Sequence, residues 1–175
     1  SPIDIRDTTS TALPELAFSY EAAPLTLRNT GSSVQHDHKG ANCLILGETP
    51  YQLLQFHFHI PSEHLVMGSG SRFELHFVHQ SQSQLLVLGL RYGLGRACPF
   101  LSQLEEALPE SYGETVAEGE LEFEPLFENQ DWSYYYYEGS LTTPPGTEGV
   151  QWILLKEEFT MSLAQHQKFK RRYAN

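Results

Sequence analysis

The run from Gln55 to His59, Gln-Phe-His-Phe-His, constrains the fold of this chain more than any other part of its sequence. Successive side chains of a β-strand point to opposite faces, so the two histidines share one face and the two phenylalanines share the other. A second strand-like run, from Glu74 to His79, carries His76. Together the runs predict adjacent strands of a sheet, with imidazoles on one face and an apolar layer behind the other.

Three histidines on one face suit a catalytic zinc site, in which three neutral imidazoles bind the ion and a fourth position stays open. A single histidine on a strand is more often a core or surface residue, but here three occur in one pattern. Glu74 lies on the same strand face as His76, where its carboxylate can hold an imidazole in one tautomer. The sequence therefore predicts that Zn²⁺ is bound by His57, His59 and His76.

The composition indicates one acidic globular domain. The chain has 175 residues, of which 40% are hydrophobic, and its formal net charge is −11. This charge argues against nucleic acid or an anionic membrane as a partner, and no apolar run approaches the roughly 20 residues of a membrane span. Cys43 and Cys98 can pair or stay free, and the apolar surroundings of Cys43 favour a buried thiol.

Turn residues divide the chain into many short strands and only two helical segments. The predicted strands are Leu25–Asn29, Ser33–His38, Cys43–Leu46, Tyr51–Ile60, Arg72–His79, Leu85–Tyr92 and Val150–Lys156. The predicted helices are Pro99–Leu108 and Met161–Tyr173, and Thr160 is expected to cap the second. The acidic stretch from Glu114 to Glu128 alternates with small and apolar residues, which is typical of a solvated strand face. These elements predict a sheet-dominated chain.

A further block, from Glu138 to Gly146, contains two prolines and two glycines that favour a rigid loop. Read beside the histidine runs, this block makes the sequence resemble the α-class carbonic anhydrases, with bacterial or algal members the better match. The motifs that carry the resemblance are, in order, Ser1–Ile5, Phe56–His59, Ser62–His64, Glu74–His76, Ser140–Pro145 and Trp152.

The resemblance implies a single α+β domain over residues 1–175, with a large, twisted, mostly antiparallel central β-sheet and short peripheral helices. Family members normally have further segments at both ends, and this chain is expected to lack them. The resemblance also implies that His57, His59 and His76 hold zinc, with a water or hydroxide in the open position. The residues expected to orient the imidazoles or to brace the site are Gln55, Glu74, His64, His79 and Tyr137.

In the family pattern, Thr142 accepts a hydrogen bond from the zinc-bound hydroxide and donates its own proton to Glu63. A carboxylate can only accept from Thr142, which leaves the lone pairs of the hydroxyl to receive the hydroxide proton. The Thr142 backbone N–H would stabilise negative charge on the substrate oxygen. Because carbon dioxide carries no charge, its pocket is expected to be largely apolar, and the resemblance assigns to it Val78, Val87, Leu141, Thr143, Val150 and Trp152.

The proton-shuttle histidine of the family has no counterpart here, since Asn29-Thr30-Gly31 is followed by Ser32. A serine does not titrate near neutrality, so slower turnover that depends on buffer is expected. His36 and His38 lie on one face of a predicted strand nearby. They either substitute for the shuttle or are solvated surface residues, and the second interpretation is favoured.

The resemblance implies zinc-dependent, reversible hydration of carbon dioxide to bicarbonate and a proton via zinc-bound hydroxide, the reaction of a carbonic anhydrase, which is a zinc lyase. The alternative is a catalytically silent carbonic-anhydrase-like binding or adhesion module, in which ligand histidines are typically lost. A zinc hydrolase acting on peptides or larger esters is a weaker alternative, because the chain has no HExxH helix. The resemblance further implies a periplasmic or extracellular location.

Overall fold

The computed structural model describes residues 2–127, 131–142 and 146–173, with the side chain of Tyr173 excepted. Strands dominate this part of the chain, and the helices are short. The strands are β1 (Asp4–Ile5), β2 (Leu16–Ser19), β3 (Ala23–Asn29), β4 (Val34–Asp37), β5 (Cys43–Leu46), β6 (Thr49–His59), β7 (Leu65–Val66), β8 (Ser69–Gly70), β9 (Phe73–Ser81), β10 (Gln84–Leu94), β11 (Thr115–Leu121), β12 (Tyr134–Ser140) and β13 (Glu148–Met161). The helices are α1 (Pro99–Glu106), α2 (Leu163–Tyr173) and a 3₁₀ turn (Glu124–Leu126).

Ten of the strands form one large sheet in the order β11-β3-β4-β6-β9-β10-β13-β12, with β5 beside β6 and β2 beside β5. Among the described strands, β10 and β13 make the parallel pair of this sheet, and the other neighbours in it are antiparallel. The remaining strands, β1, β7 and β8, form a small separate sheet. The predicted α+β class, with a large and mostly antiparallel sheet and short helices, is confirmed.

The two faces of the large sheet bury different residues. On one face, Phe56 lies 5.9 Å from Phe100 of α1 and Phe58 lies 5.1 Å from Phe169 of α2, measured between ring centroids. This face forms the main hydrophobic core. A smaller apolar cluster lies on the opposite face and consists of Val78, Val87, Val150 and Trp152. The alternation along β6 therefore directs its two histidines toward the smaller cluster.

Each of the strands and helices predicted from the sequence is present, although β3, β6, β9, β10 and β13 extend beyond their predicted bounds and β4 and both helices are shorter. The short strands β1, β2, β7 and β8 were not predicted. The pattern missed β12, which begins with the four tyrosines Tyr134 to Tyr137. Its side chains alternate between more and less buried positions, but an uninterrupted aromatic run hides that alternation from a pattern based on polarity. The central strands were easier to predict because the contrast in polarity between their polar and apolar residues is larger.

The predicted cap of α2 is wrong. Thr160 belongs to β13, which continues to Met161, and the helix begins at Leu163. Ser162 caps it instead, because its Oγ accepts a hydrogen bond of 3.1 Å from the backbone N–H of Gln165. The Gln165 side-chain oxygen in turn accepts one of 3.1 Å from the backbone N–H of Ser162. This reciprocal pair is a capping box.

The acidic stretch follows its sequence-based interpretation, whereas Cys43 is only half-buried and is not the buried thiol that its apolar surroundings favoured. Within that stretch, β11 pairs with β3, and Glu118 and Glu120 are exposed on it, as expected for a solvated strand face. Cys43 and Cys98 are both free thiols, and Cys98 is buried. In the described residues, neither helix has the length and apolar character that crossing a membrane requires.

Candidate metal centre

The pairing of β6 with β9 brings the three predicted histidines together. His57 stands directly opposite His76, and His59 stands opposite Glu74, so all three imidazoles leave the same face of the sheet. Each ring offers a nitrogen within 4.8 Å of the nitrogens of the other two. Ring centroids are 5.0 Å apart for His57 and His59, 5.3 Å for His57 and His76, and 4.7 Å for His59 and His76.

Hydrogen bonds determine which nitrogen of two of these rings is free. Nδ1 of His57 donates to the side-chain oxygen of Gln55 at 2.8 Å, which leaves Nε2 unprotonated. Nε2 of His76 donates to Oε1 of Glu74 at 2.7 Å, which leaves Nδ1 unprotonated. Nε2 of His59 is 3.3 Å from a carboxylate oxygen of Glu63, yet it makes no hydrogen bond within the part of the chain that the structure describes. One lone pair per ring is thus available to a metal ion.

The environment keeps the imidazoles of His57 and His59 neutral. Burial, with contributions from His76 and His59, lowers the pKa of His57 to about 2. Burial and the neighbouring His76 lower the pKa of His59 to about 3. A neutral imidazole is the form that binds a metal ion, so no proton has to be displaced at neutral pH.

Glu74 organises the buried side of the site. Its Oε1 accepts hydrogen bonds from Nε2 of His76 and from Nδ1 of His64, the latter at 2.5 Å, and its Oε2 accepts the backbone N–H groups of Glu63 and His64 at 3.0 Å each. Burial alone would raise the pKa of Glu74, but the hydrogen bonds from His64 and His76 lower it. Nε2 of His64 then accepts the hydroxyl proton of Tyr137 at 2.7 Å. The carboxylate therefore stays ionised and holds His76 in one tautomer.

A cavity of about 290 Å³ opens over the three histidines. Polar residues form one part of its wall, and the apolar part consists of Val78, Val87, Leu141 and Trp152. Val150 lies in the same buried cluster but behind this wall. Thr143 lies outside the described residues. The cavity is thus polar near the imidazoles and apolar beside them, as a pocket for an uncharged substrate requires.

Glu63 and Thr142 both line this cavity. The Glu63 side chain remains 31% exposed, and one of its oxygens is 3.9 Å from Nδ1 of His76. Burial raises the pKa of Glu63, although the nearby His76 opposes that effect. Thr142 is exposed at the edge of the loop that follows β12. Both residues that the sequence analysis proposed for catalysis are therefore near the three imidazoles.

Both interpretations of His36 and His38 are wrong. His36 stands opposite Phe56 in the pairing of β4 with β6, which places it on the core face of the sheet and away from the cavity. Neither side chain is solvated, since His36 is 2% exposed and His38 is 9% exposed. Ser32, at the expected shuttle position, is exposed and does line the cavity. The sequence held one signal for this face, since the apolar Val34 lies two residues before His36 on β4 and is buried with it.

Some residues that contact or support the site were not predicted, among them Gln35 and Gly89. Gln35 stands opposite His57 and lines the cavity. The expectation that His79 braces the metal site is wrong. His79 lies on the core face, where it is hydrogen-bonded to Tyr20. Gly89 stands opposite His76, and a side chain there would come within 3.2 Å of Oε1 of Glu74. Only Gln35 had a usable signal, namely its position on a predicted strand two residues from other polar side chains.

Comparisons with known proteins identify the family of this chain. A family model described as eukaryotic-type carbonic anhydrase matches residues 1–175. Over 173 residues the chain is 36% identical to a carbonic anhydrase of Neisseria gonorrhoeae, covering 98% of this chain and 68% of that protein. It is 38% identical to dioscorin dioA3 of Dioscorea japonica, covering 94% and 64% respectively. The chain thus spans about two thirds of the length of these curated relatives.

Solved structures of carbonic anhydrases and of a dioscorin superpose on this chain. The α-carbonic anhydrase of Thermovibrio ammonificans, in complex with the inhibitor sulfanilamide, superposes with a TM-score of 0.94 at 35% identity, covering 100% of this chain and 79% of the other. A dioscorin complexed with ascorbate superposes with a TM-score of 0.88 at 35% identity, covering 98% of this chain and 75% of the other.

Proposed function

Because this chain belongs to the eukaryotic-type, or α-class, carbonic anhydrase family, we propose that it catalyses the reversible hydration of carbon dioxide to bicarbonate and a proton. The observation that carries the proposal is the convergence of three imidazoles beside an apolar cavity wall. The donor set fits zinc, since three histidine nitrogens with an open fourth position are typical of catalytic zinc sites. Nε2 of half-buried His59 has no hydrogen-bond partner in the part of the chain that the structure describes, which supports this fit.

We assign the metal ligands from the hydrogen bonds of each ring. Zinc would be held by Nε2 of His57, Nε2 of His59 and Nδ1 of His76, because the other nitrogens of His57 and His76 are engaged by Gln55 and Glu74. When bound, zinc lowers the pKa of a water ligand to near 7 and so supplies a nucleophile at neutral pH. His64 and Tyr137 act through Glu74, which they keep ionised and fixed in position.

Thr142 and Glu63 would orient the reaction. The Glu63 carboxylate would accept a hydrogen bond from the Thr142 hydroxyl. The lone pairs of that hydroxyl could then accept a hydrogen bond from the attacking nucleophile, which would aim the nucleophile at the carbon atom of the substrate. The Thr142 backbone N–H would stabilise the negative charge that forms on the substrate oxygen. Carbon dioxide would rest against Val78, Val87, Leu141 and Trp152, with Val150 supporting that wall. The family pattern alone adds Thr143 to this pocket.

Export of the proton that the hydration reaction releases would depend on the buffer in solution. Among the described residues that line the cavity, the titratable side chains are the three histidines and Glu63, and all of these have roles at the metal. No shuttle histidine is therefore proposed, and the proton would pass to buffer directly. We extend the proposal to a periplasmic or extracellular location, which rests on the family resemblance alone.

A catalytically silent binding module remains the alternative, since dioscorins match this chain as well as named carbonic anhydrases do. The retained imidazoles, together with Glu63 and Thr142, favour the enzyme. Stopped-flow hydration of carbon dioxide by the zinc-loaded chain tests the choice: we expect a rate above buffer that sulfanilamide abolishes. His59→Ala should lose that rate, whereas His166→Ala on α2 should keep it. A zinc-loaded chain with no rate above buffer would instead support the silent module.

A further inference from the structure

The face of the sheet opposite the metal centre carries a second pair of histidines. His36 and His38 lie on β4, and His36 stacks against Phe56 with ring centroids 4.9 Å apart and an interplanar angle of 26°. Both side chains are more than nine-tenths buried, at 2% and 9% exposure. Nδ1 of His36 contacts the Thr26 carbonyl, and Nε2 of His36 faces Nδ1 of His38. Nε2 of His38 has no hydrogen-bond partner among the described residues, a cost that the proposed reaction does not explain.

The separation of the two rings suits a shared metal ion. Nε2 of His36 and Nδ1 of His38 are 3.4 Å apart. This exceeds the usual hydrogen-bond length of about 2.7–3.2 Å. Two zinc–nitrogen bonds of about 2.0–2.1 Å at a tetrahedral angle place the two nitrogens about 3.4 Å apart. The observed distance therefore equals one edge of a tetrahedral site.

The tautomer of His36 is compatible with metal binding. Its Nδ1 donates to the backbone carbonyl of Thr26 at 3.0 Å, so the lone pair of Nε2 faces His38. Burial lowers the pKa of His36 and of His38, and the charge of His36 would lower that of His38 further. Both rings are thus neutral near neutral pH. Nε2 of His38 lies over Gly40, where a side-chain carbon would come within 2.6 Å, so the glycine makes room for the ring.

A cavity next to the pair leaves room for further ligands. It measures about 250 Å³ and is lined by both histidines, with Thr26, Asp37 and Thr115 as oxygen-bearing neighbours. Arg28 and Lys39 also line this cavity, and their positive charges disfavour the binding of a metal cation there. The charge of Arg28 is partly balanced, because its guanidinium is paired with the Asp37 carboxylate at 3.0 Å. Water molecules can complete the coordination of an ion in such a space. Imidazole nitrogens with oxygen ligands suit Zn²⁺, Cu²⁺ or Ni²⁺ and not Mg²⁺ or Ca²⁺.

We propose that His36 and His38 bind a second divalent transition-metal ion, with water completing its coordination, on the face of the sheet opposite the zinc site. The site is expected to be weaker than the first, because it offers two imidazoles instead of three and has two cationic side chains nearby. It does not depend on the proposed reaction, since neither His36 nor His38 lines the cavity that holds His57, His59 and His76, although Gln35 borders both cavities.

The test is the zinc content of the full chain after equilibrium dialysis at rising, buffered free Zn²⁺. We expect two zinc ions per chain for the parent, and one for His36→Gln and for His38→Gln. Glutamine keeps a polar side chain of similar size but lacks the imidazole. His166→Ala removes an imidazole from α2 and should retain two. One ion per chain in the parent, or a second ion that survives both glutamine substitutions, would overturn the proposal.

A second measurement needs no substitution in the pair. Cu²⁺ added to the zinc-loaded chain should give an electron paramagnetic resonance spectrum with splitting from two nitrogens, while the zinc stays bound. Splitting from three nitrogens with release of zinc would mean that copper enters only the first site, and the proposal would fail. Carbon dioxide hydration by His38→Gln should equal that of the parent, so failure of this site and failure of the proposed reaction give different results.

Discussion

At the residue scale, the site depends on one position that has no side chain. Gly89 of β10 stands opposite His76, and a carbon atom added there would lie 2.8 Å from Cδ1 of Leu154 and 3.2 Å from Oε1 of Glu74. Four hydrogen bonds hold the Glu74 carboxylate, so it cannot move aside without releasing His64 or His76. The glycine therefore permits the carboxylate to occupy the position from which it orients His76.

We predict that Gly89→Ala weakens zinc binding about 10- to 100-fold, the usual loss when a group behind a metal ligand is disturbed. Gly93→Ala, on the same strand, is a matched control, because its new methyl would meet the flexible end of Glu158 at 2.9 Å. Competition with a chromogenic chelator measures both affinities. Equal affinities for the two variants would show that Gly89 does not provide the space on which Glu74 depends.

Ser32 gives a second prediction at this scale. It lines the cavity and cannot carry a proton near neutrality, so turnover should depend on buffer concentration. Ser32→His should raise turnover in dilute buffer about 10-fold or more, since a positioned general acid or base contributes about 10²–10⁴-fold where proton transfer limits the rate. Stopped-flow rates at several buffer concentrations would test this. If turnover of the parent is independent of buffer, proton export does not limit it, and the prediction fails.

At the scale of single elements, strand alternation was predictable and strand register was not. The run from Gln55 to His59 showed which residues of β6 share a face, because aromatic and imidazole side chains alternate there. The same reasoning failed for β4. Shifting a strand by one residue exchanges its two faces, and only the pairing of His36 with Phe56 shows that this histidine points into the core.

The beginning of α2 provides the test at this scale. Ser162 and Gln165 form a reciprocal capping box, whereas Thr160 is an exposed residue of β13. Ser162→Ala should lower the free energy of unfolding by about 1 kcal/mol, the usual cost of losing an N-cap. Thr160→Ala should change it by less than about 0.5 kcal/mol. Urea denaturation of both variants measures the difference. A larger loss for Thr160→Ala would restore the cap first predicted from the sequence.

At the scale of the whole molecule, the chain has the sheet of its family, and the family motifs allowed that fold to be predicted over residues 1–175. The sequence could not show how many histidines are buried away from the metal centre. His36, His38 and His79 all lie on the core face, and their environment depends on contacts between residues that are distant in the chain, such as that of His79 with Tyr20. These contacts affect the stability of the folded chain as a whole.

Acid should therefore destabilise the fold through its buried histidines. Burial lowers the pKa of His79 to about 3, whereas an unfolded histidine titrates near 6.5. Between these values the unfolded chain binds a proton that the folded chain does not, so stability falls as the pH falls below about 6.5. His79 alone should contribute a slope of about 1.4 kcal/mol per pH unit. His36 and His38 have lowered pKa values and add slopes of the same sign.

Urea denaturation between about pH 6.5 and pH 5 tests this linkage. His79→Gln should reduce the pH slope by about 1.4 kcal/mol per pH unit. Tyr20→Phe is the matched control, because it removes the hydrogen bond to His79 but leaves the imidazole buried, and its slope should equal that of the parent. An unchanged slope for His79→Gln would mean that this histidine is protonated in the folded chain.

The coordination of zinc is the central claim, and X-ray absorption at the zinc edge measures it most directly. With one equivalent of zinc, the chain should show three imidazole nitrogens at about 2.0–2.1 Å and one further light atom, and His76→Ala should lose one imidazole. A sulfur ligand, a fourth imidazole, or an unchanged spectrum in His76→Ala would contradict the site built from His57, His59 and His76.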